Sequence, residues 1–429
     1  MRALRSSTRR GPRPADRAPS RLLGATAVVS VAFLGANALA YVFTVAAARL
    51  LAPAAYGELA ALLSVLLVGS VPASGAQTAA ALHLGGRAGD ERTVARLHAA
   101  TAQLGLAVAL LGLVLVPLLV EGLHLPAATA AVWLAVLLLP QTMVQGYQGL
   151  LQGAGRYRRL AFVTVVFGVG KLLGGVAGLL LGGTTTAALA GMTLAAVVAA
   201  GAGWLTAGRP GLARGTRSVS VAALHAAGAL LGFTVLLNLD VLLARHHLPA
   251  AVSGEYAVAA ILTKVAFWLP QGVGVVLLPK LADAAGRQRA LPAALAAVGG
   301  LGGVLTLGTA LVGEAALPLV GGSAYGDTLG SATWVFAALG TLLALAQLLL
   351  FSGIAASDRL ATAAVWSAAA VEAVVVEVLA ATGRLSLLSL ACTALLSAAA
   401  LVACGLVRSR RVRSVPAMTA DGIVPATGP

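Results

Sequence analysis

Apolar residues run almost continuously along this chain, interrupted by short polar and basic stretches. Twelve runs are long enough to cross a hydrocarbon layer as helices, which takes about 20 mostly apolar residues each. They lie near 22–48, 59–84, 98–120, 128–151, 160–182, 187–207, 220–244, 257–279, 292–312, 328–353, 360–382 and 385–407. Within each run the apolar positions are contiguous. A closed β-barrel, the other structure that satisfies its backbone in lipid, needs alternation of period two. The pattern therefore predicts helices. The breaks between runs are short, and the longest, near 313–327, has about fifteen residues. None of them can house a catalytic domain.

Composition narrows the class further. Of 429 residues, 59% are hydrophobic and only 10% charged, and the mean hydropathy is +0.94. A soluble domain carries about 25% charged residues to cover its surface. A soluble enzyme, a disordered chain and a disulfide scaffold are thereby excluded. Cys392 and Cys404 share one apolar run and have no metal-site spacing. A net charge of +15 alone would suit a nucleic-acid partner, but the basic residues form clusters between apolar runs and no continuous basic stripe. Clusters of this kind orient membrane proteins.

The clusters test the span count. With the N-terminus in the cytoplasm, 24 of the 29 Lys and Arg fall on the inner side. These are seven in residues 1–21, Arg87, Arg92 and Arg96, Arg156, Arg158 and Arg159, Arg209, Arg214 and Arg217, Lys280, Arg287 and Arg289, Arg359, and Arg408, Arg410, Arg411 and Arg413. Arg49, Arg245 and Arg384 fall outside, and Lys171 and Lys264 fall within spans. A miscounted span would have scrambled the alternation beyond the error. The expectation is a multi-pass protein of the plasma (inner) membrane with both termini cytoplasmic. Residues 1–21 read as a basic cytoplasmic tail and not as a cleavable signal, because the apolar run that follows is too long for one.

The chain also repeats itself. AAARLLAPAAYGELA after the first run matches LLARHHLPAAVSGEYA after the seventh: Arg49 pairs with Arg245 and Pro53 with Pro249 at 196 residues, and Gly57 with Gly254 and Glu58 with Glu255 at 197. Arg159-Leu160-Ala161 matches Arg359-Leu360-Ala361 at 200. Six spans separate the matching points, so both halves enter the membrane in the same direction. The expected fold is an all-α polytopic membrane protein of about twelve transmembrane helices, in two parallel six-helix halves around a central cavity. Its parts are the tail 1–21, an N-terminal half 22–208, a cytoplasmic linker 209–219, a C-terminal half 220–407 and a cytoplasmic tail 408–429. Parallel repeats of this kind commonly move a substrate by rocking one half against the other. A duplicated scaffold that moves nothing is the plainer reading.

Several of these segments resemble a known family. Asn238-Leu-Asp-Val-Leu-Leu-Ala-Arg245-His-His-Leu-Pro249 with Gly254-Glu-Tyr256 is similar to the seventh span and following turn of polysaccharide flippases. So is the run from Leu262-Thr-Lys264 through Pro270 to Leu278-Pro279-Lys280. Arg49-Leu-Leu-Ala-Pro53-Ala-Ala-Tyr56-Gly57-Glu58 resembles the first-span turn of the same family, and Gln152-Gly-Ala-Gly-Arg156-Tyr157 its fourth-to-fifth turn. These are the O-antigen-type, lipid-linked oligosaccharide flippases of the multidrug/oligosaccharidyl-lipid/polysaccharide exporter superfamily. The resemblance covers about 22–407. It implies a transporter that flips a polyprenyl-diphosphate-linked oligosaccharide from the inner to the outer leaflet, for cell-surface polysaccharide synthesis. The implied partners are the bilayer, the lipid-linked sugar, H+ or Na+, and glycosyltransferases of the same pathway. Twelve spans argue against the lipid II branch, which typically has fourteen. No bond is made or broken in such a task, so no enzyme, cofactor or metal chemistry is implied.

Charges inside spans cost about 2.5–3.5 kcal/mol each on insertion scales and mark candidate sites. Lys171 lies mid-way along the fifth run, and its repeat counterpart falls one residue from Glu372. Lys171 is a candidate diphosphate contact and Glu372 a candidate gate or proton carrier; a structural ion pair is the other reading. Asp240 and Lys264 fall at similar depth on neighbouring spans and read as an ion pair, or as a proton site beside a headgroup contact. Glu377, nearer the outer end, is expected to reach water or Arg384. Asn37, Gln77, Gln141, Gln145 and Gln271 can hydrogen-bond sugars or neighbouring helices. Pro72, Pro140 and Pro270 can bend their spans. The adjacent His246 and His247 read more readily as surface residues than as a metal site. Gly299-Gly300-Leu-Gly302-Gly303 lacks the following Lys-Ser/Thr of a phosphate loop. The alternatives left open are an ion-coupled multidrug extruder of the same superfamily, a major-facilitator transporter, a non-transporting scaffold and a membrane glycosyltransferase. The major-facilitator loop after the second span is poorly matched by Gly86-Arg-Ala-Gly-Asp90-Glu-Arg-Thr.

Overall fold

The structure is a computed structural model that describes residues 18–85, 90–213, 217–268, 284–325, 329–355 and 359–413. The described residues contain helices and turns and no strand. Among the described residues, twelve helices are long and apolar enough to span a membrane. We number them α1 (Val28–Leu50), α2 (Pro53–Leu84), α3 (Glu91–Val114), α4 (Ala128–Gly153), α5 (Tyr157–Gly182), α6 (Thr185–Ala207), α7 (Gly228–His247), α8 (Ala250–Trp268), α9 (Leu291–Gly321), α10 (Gly330–Gly353), α11 (Leu360–Ala381) and α12 (Leu387–Ser409). Leu82, Val114, Leu181 and Leu311 are exposed by more than 70%. Side chains of this kind on so many faces need hydrocarbon around them. The chain is a multi-pass membrane protein.

Two places differ from the pattern-based reading. Pro53 opens α2 six residues earlier than the apolar run suggests, because its fixed φ suits the first helical position. Gly57, Glu58, Gly254 and Glu255 thus lie within helices, and the connecting turns are only a few residues long. The segment 313–327 is also less of a loop than expected: a 3₁₀ turn at Gly313–Ala315 carries the chain into a short helix, Ala316–Gly321. Of the three prolines, Pro72 follows a break in α2 at Ser70, whereas Pro140 sits within a continuous α4. Pro270 lies outside the described residues, as does Gln271.

The chain packs as two compact units. The first takes the residues up to Leu51 with Gly69–Ala227; the second takes Ala52–Val68 and the chain from Gly228 onward. The break at Ser70 is therefore a change of unit within one span. The first segment of α2 joins the second unit through backbone contact. A Cβ placed on Gly57 would stand 2.9 Å from the Gly254 nitrogen, and one placed on Gly254 would collide with the Pro53 carbonyl. Around this crossing, Tyr56 packs edge-on against Tyr325, with ring centroids 6.4 Å apart, and the buried Arg245 guanidinium donates to the Ala54 carbonyl at 3.4 Å.

In the first unit α4 is central, packing on α2, α3 and α6. Small residues bring helices close: Gly174 of α5 and Gly191 of α6 meet so tightly that a Cβ on either would strike the other's carbonyl. In the second unit α10 packs on α8, α9 and α12 over a core that includes Phe233, Phe267, Leu339 and Leu343. The internal repeat reappears at residue level. Gly105 of α3 faces Thr142 of α4, and Gly302 of α9 faces Thr341 of α10. Both threonines turn their hydroxyls back to the carbonyl four residues earlier, Leu138 and Ala337, at 2.7 and 2.8 Å.

Candidate functional site

Each unit holds its own polar cluster, built from span residues. In the first unit, Gln141, Gln145 and Gln148 are spaced by four and three along α4, which puts them on one helix face. Each is engaged by a neighbouring helix. Lys171 Nζ donates to Gln141 Oε1 at 3.4 Å, Ser74 Oγ donates to Gln145 Oε1 at 2.9 Å, and Gln148 Nε2 donates to Thr164 Oγ1 at 3.1 Å. The ammonium of Lys171 also lies 5.3 Å from the centroid of the Phe167 ring, one helical turn earlier on α5. A cation over an aromatic face gains electrostatic attraction without a counter-charge. Lys171 is thus held by a dipole and a ring, and no carboxylate within ion-pair distance is recorded for it among the described residues. Gln141 is buried, while Asn37 and Gln77 are half-buried on α1 and α2. The backbone of Gln77 packs against Gly149, where any side chain would collide.

The second unit concentrates its polar groups on α7, α8 and α11. Asp240 is 4% exposed and Glu372 1%. Tyr256 of α8 donates its hydroxyl to Asp240 Oδ2 at 3.0 Å. Lys264, half-buried on the same helix, lies within the electrostatic reach of Asp240, as Glu372 does. Asn238 is fully buried and spends its amide on the Thr234 carbonyl at 2.9 Å. Four buried oxygens here have no hydrogen-bond partner: Asn238 Oδ1, Asp240 Oδ1, Thr263 Oγ1 and Glu372 Oε1. These four are the full set of such orphans recorded among the described residues, and they all lie in this unit. An orphaned buried polar atom costs about 1–3 kcal/mol. Three of the four are pure acceptors when Asp240 and Glu372 are ionised, the donor set of a hard cation or a proton.

The structure thus brings Asp240, Lys264 and Glu372 into one neighbourhood and holds Lys171 with Gln141 in another. Sequence reasoning missed Tyr256 as the direct partner of Asp240. Its signal was present: a tyrosine in an apolar helix needs a partner for its hydroxyl. Asn238, two residues before Asp240, was also passed over. Glu377 is exposed, as expected of a solvated acid, and it also accepts from His247 Nε2 at 3.0 Å.

The sequence matches no family model and no curated protein. Its twelve-helix fold is nevertheless similar to solved structures of multidrug transporters and of a lipid II flippase. The chain is similar to an inward-facing multidrug resistance MATE family transporter of the MOP superfamily, at 12% identity and a TM-score of 0.66, over 88% of this chain and 96% of that one. It is similar to the lipid II flippase MurJ in an inward closed conformation at 11% identity and a TM-score of 0.67, over 89% and 87%. A MOP superfamily transporter from Pyrococcus furiosus, described as having a binding pocket of reversed polarity, matches at 13% identity and a TM-score of 0.56, over 91% and 96%.

Proposed function

We propose that this protein is an ion-coupled transporter that flips a polyprenyl-diphosphate-linked oligosaccharide from the inner to the outer leaflet. The observation that carries the reading is the pair of buried carboxylates, Asp240 and Glu372, each with an oxygen that no described residue satisfies. A cation or proton that binds between them and leaves again accounts for retaining two costly acids among hydrocarbon. Lys171, in the other unit, supplies the opposite charge at a point where a diphosphate can replace the weak contact with Gln141. Helices that meet through glycine, as α5 and α6 do, can slide with little steric resistance.

The test is a deletion strain that accumulates lipid-linked sugar on the inner leaflet. Lys171→Ala is expected to lower its rescue by about tenfold, the size of one lost charge-assisted contact. Lys171→Arg restores most of it. Full rescue by Lys171→Ala overturns the assignment of the diphosphate site. Export of a cationic drug is the second reading, favoured by the same two carboxylates. Under that reading Lys171→Ala leaves drug efflux unchanged, and neutralising Asp240 abolishes it.

A further inference from the structure

A third group of chemistry-bearing side chains lies away from both clusters. α7 ends in His246 and His247, and 130 residues later in the chain Glu377 comes to the same place on α11. One ligand atom from each of the three lies within 4.8 Å of the other two. His246 and Glu377 are exposed and His247 is half-buried, so an ion has a path from water. We infer that these residues form a binding site for a divalent transition-metal ion of the zinc type, clipping the end of α7 to α11. Imidazole and carboxylate suit Zn2+, which takes such ligands at about 2.0–2.2 Å in tetrahedral geometry. Ligand atoms around such an ion stand about 3.4 Å apart, so small side-chain rotations close the site.

The surroundings fit. The last carbonyls of α7 present the negative end of its dipole. Arg245, the nearest cation in sequence, directs its guanidinium to the Ala54 carbonyl and Ser253 Oγ, both at 3.4 Å, and feels the charge of Glu58. Its charge is therefore turned away from the imidazoles. As odd-numbered spans, α7 and α11 cross in the same direction and end on the same membrane face, so the site samples one compartment only. It also has a mechanical consequence. Asp240 lies seven residues before His247 and Glu372 five before Glu377, about 10 and 8 Å along the two helices. The ion joins the same two helices that carry the buried carboxylates, and its binding restrains their separation. The site itself stands whatever the protein transports.

The experiment uses the full chain in detergent, purified on a tag without histidine, with ZnCl2 as the titrant in calorimetry. One saturable low-micromolar event is expected. His247→Ala and Glu377→Gln are each expected to weaken it by on the order of tenfold or more, with the metal-free melting temperature unchanged. Mg2+ gives no heat. Hydrogen exchange at the outer turns of α7 and α11 slows with Zn2+ in the wild type and stays fast in His247→Ala. Undiminished binding in both variants, or binding without slowed exchange, overturns the inference. Should one variant fold poorly, His246→Ala, at an exposed position, serves in its place.

Discussion

Glu372→Met is expected to raise the melting temperature of the protein and to abolish its transport. The two effects share one origin. Glu372 is 1% exposed, and its Oε1 has no partner. Methionine fills nearly the same volume without a polar atom to desolvate. Replacing buried charges with apolar side chains of similar size is commonly neutral or stabilising by about 1–4 kcal/mol. A glutamate that served only to hold α11 in place would behave oppositely: its removal would destabilise the protein and leave transport in proportion to the surviving fold. Thermal unfolding in detergent together with flipping in proteoliposomes separates the two cases. A less stable Glu372→Met variant that still transports would sink the coupling role. Asp240→Asn refines the test. Asparagine keeps an oxygen to accept from Tyr256, so the contact now 3.0 Å long survives while the charge is lost. Transport in this variant is expected to stop responding to an imposed ion gradient.

Much of this architecture could be read without coordinates, and the reason is physical. A membrane removes the alternatives that make soluble folds ambiguous, since every spanning backbone must close its own hydrogen bonds. Span number and order follow from apolar length alone. The internal repeat was legible because Arg, Pro, Gly and Glu stand out in an Ala- and Leu-rich chain. The same background hid the helix starts. Pro53 and Ala250 open α2 and α8 inside what reads as turn, and only helical capping geometry separates the two. The assignment of Ala52–Val68 to the second unit was not legible at all. It depends on two glycines, Gly57 and Gly254, meeting backbone to backbone, and glycine carries no mark of its partner.

The site residues divide in the same way. Ionisable side chains in spans announce themselves by their cost, so Lys171, Asp240, Lys264 and Glu372 stand out in the sequence. Their partners Tyr256 and Phe167 are ordinary membrane residues whose roles come from geometry. Glu377 shows the limit from the other side. As a lone acid near a helix end it reads as solvated, and its meeting with His247 follows from two helices, far apart in sequence, ending together.

The glycine crossing should give the largest loss of stability from any single added methyl group. In Gly254→Ala the new Cβ falls on the Pro53 carbonyl carbon and oxygen. Neither partner can yield cheaply, because both belong to helical backbone at the starts of α2 and α8. Overpacking of this kind costs about 1–3 kcal/mol and more where the backbone must move. Gly57→Ala meets the Gly254 nitrogen and the Ser253 hydroxyl at 2.9 Å, and the serine can rotate away, so its cost is smaller. Gly299→Ala and Gly300→Ala lie in α9 with open space around the Cβ position. There the gain in helix propensity, about 1 kcal/mol, acts unopposed and the protein is unchanged or firmer. The expected order of melting temperatures therefore places Gly254→Ala lowest, Gly57→Ala next, and the α9 variants at or above wild type. Hydrogen exchange adds a local reading: in Gly254→Ala, amides of Pro53–Gly69 are expected to lose protection before those of Val71–Leu84, because only the first segment of α2 is anchored at the crossing. Equal loss along both segments would mean that α2 behaves as one rod and that its break at Ser70 does not separate two packing allegiances.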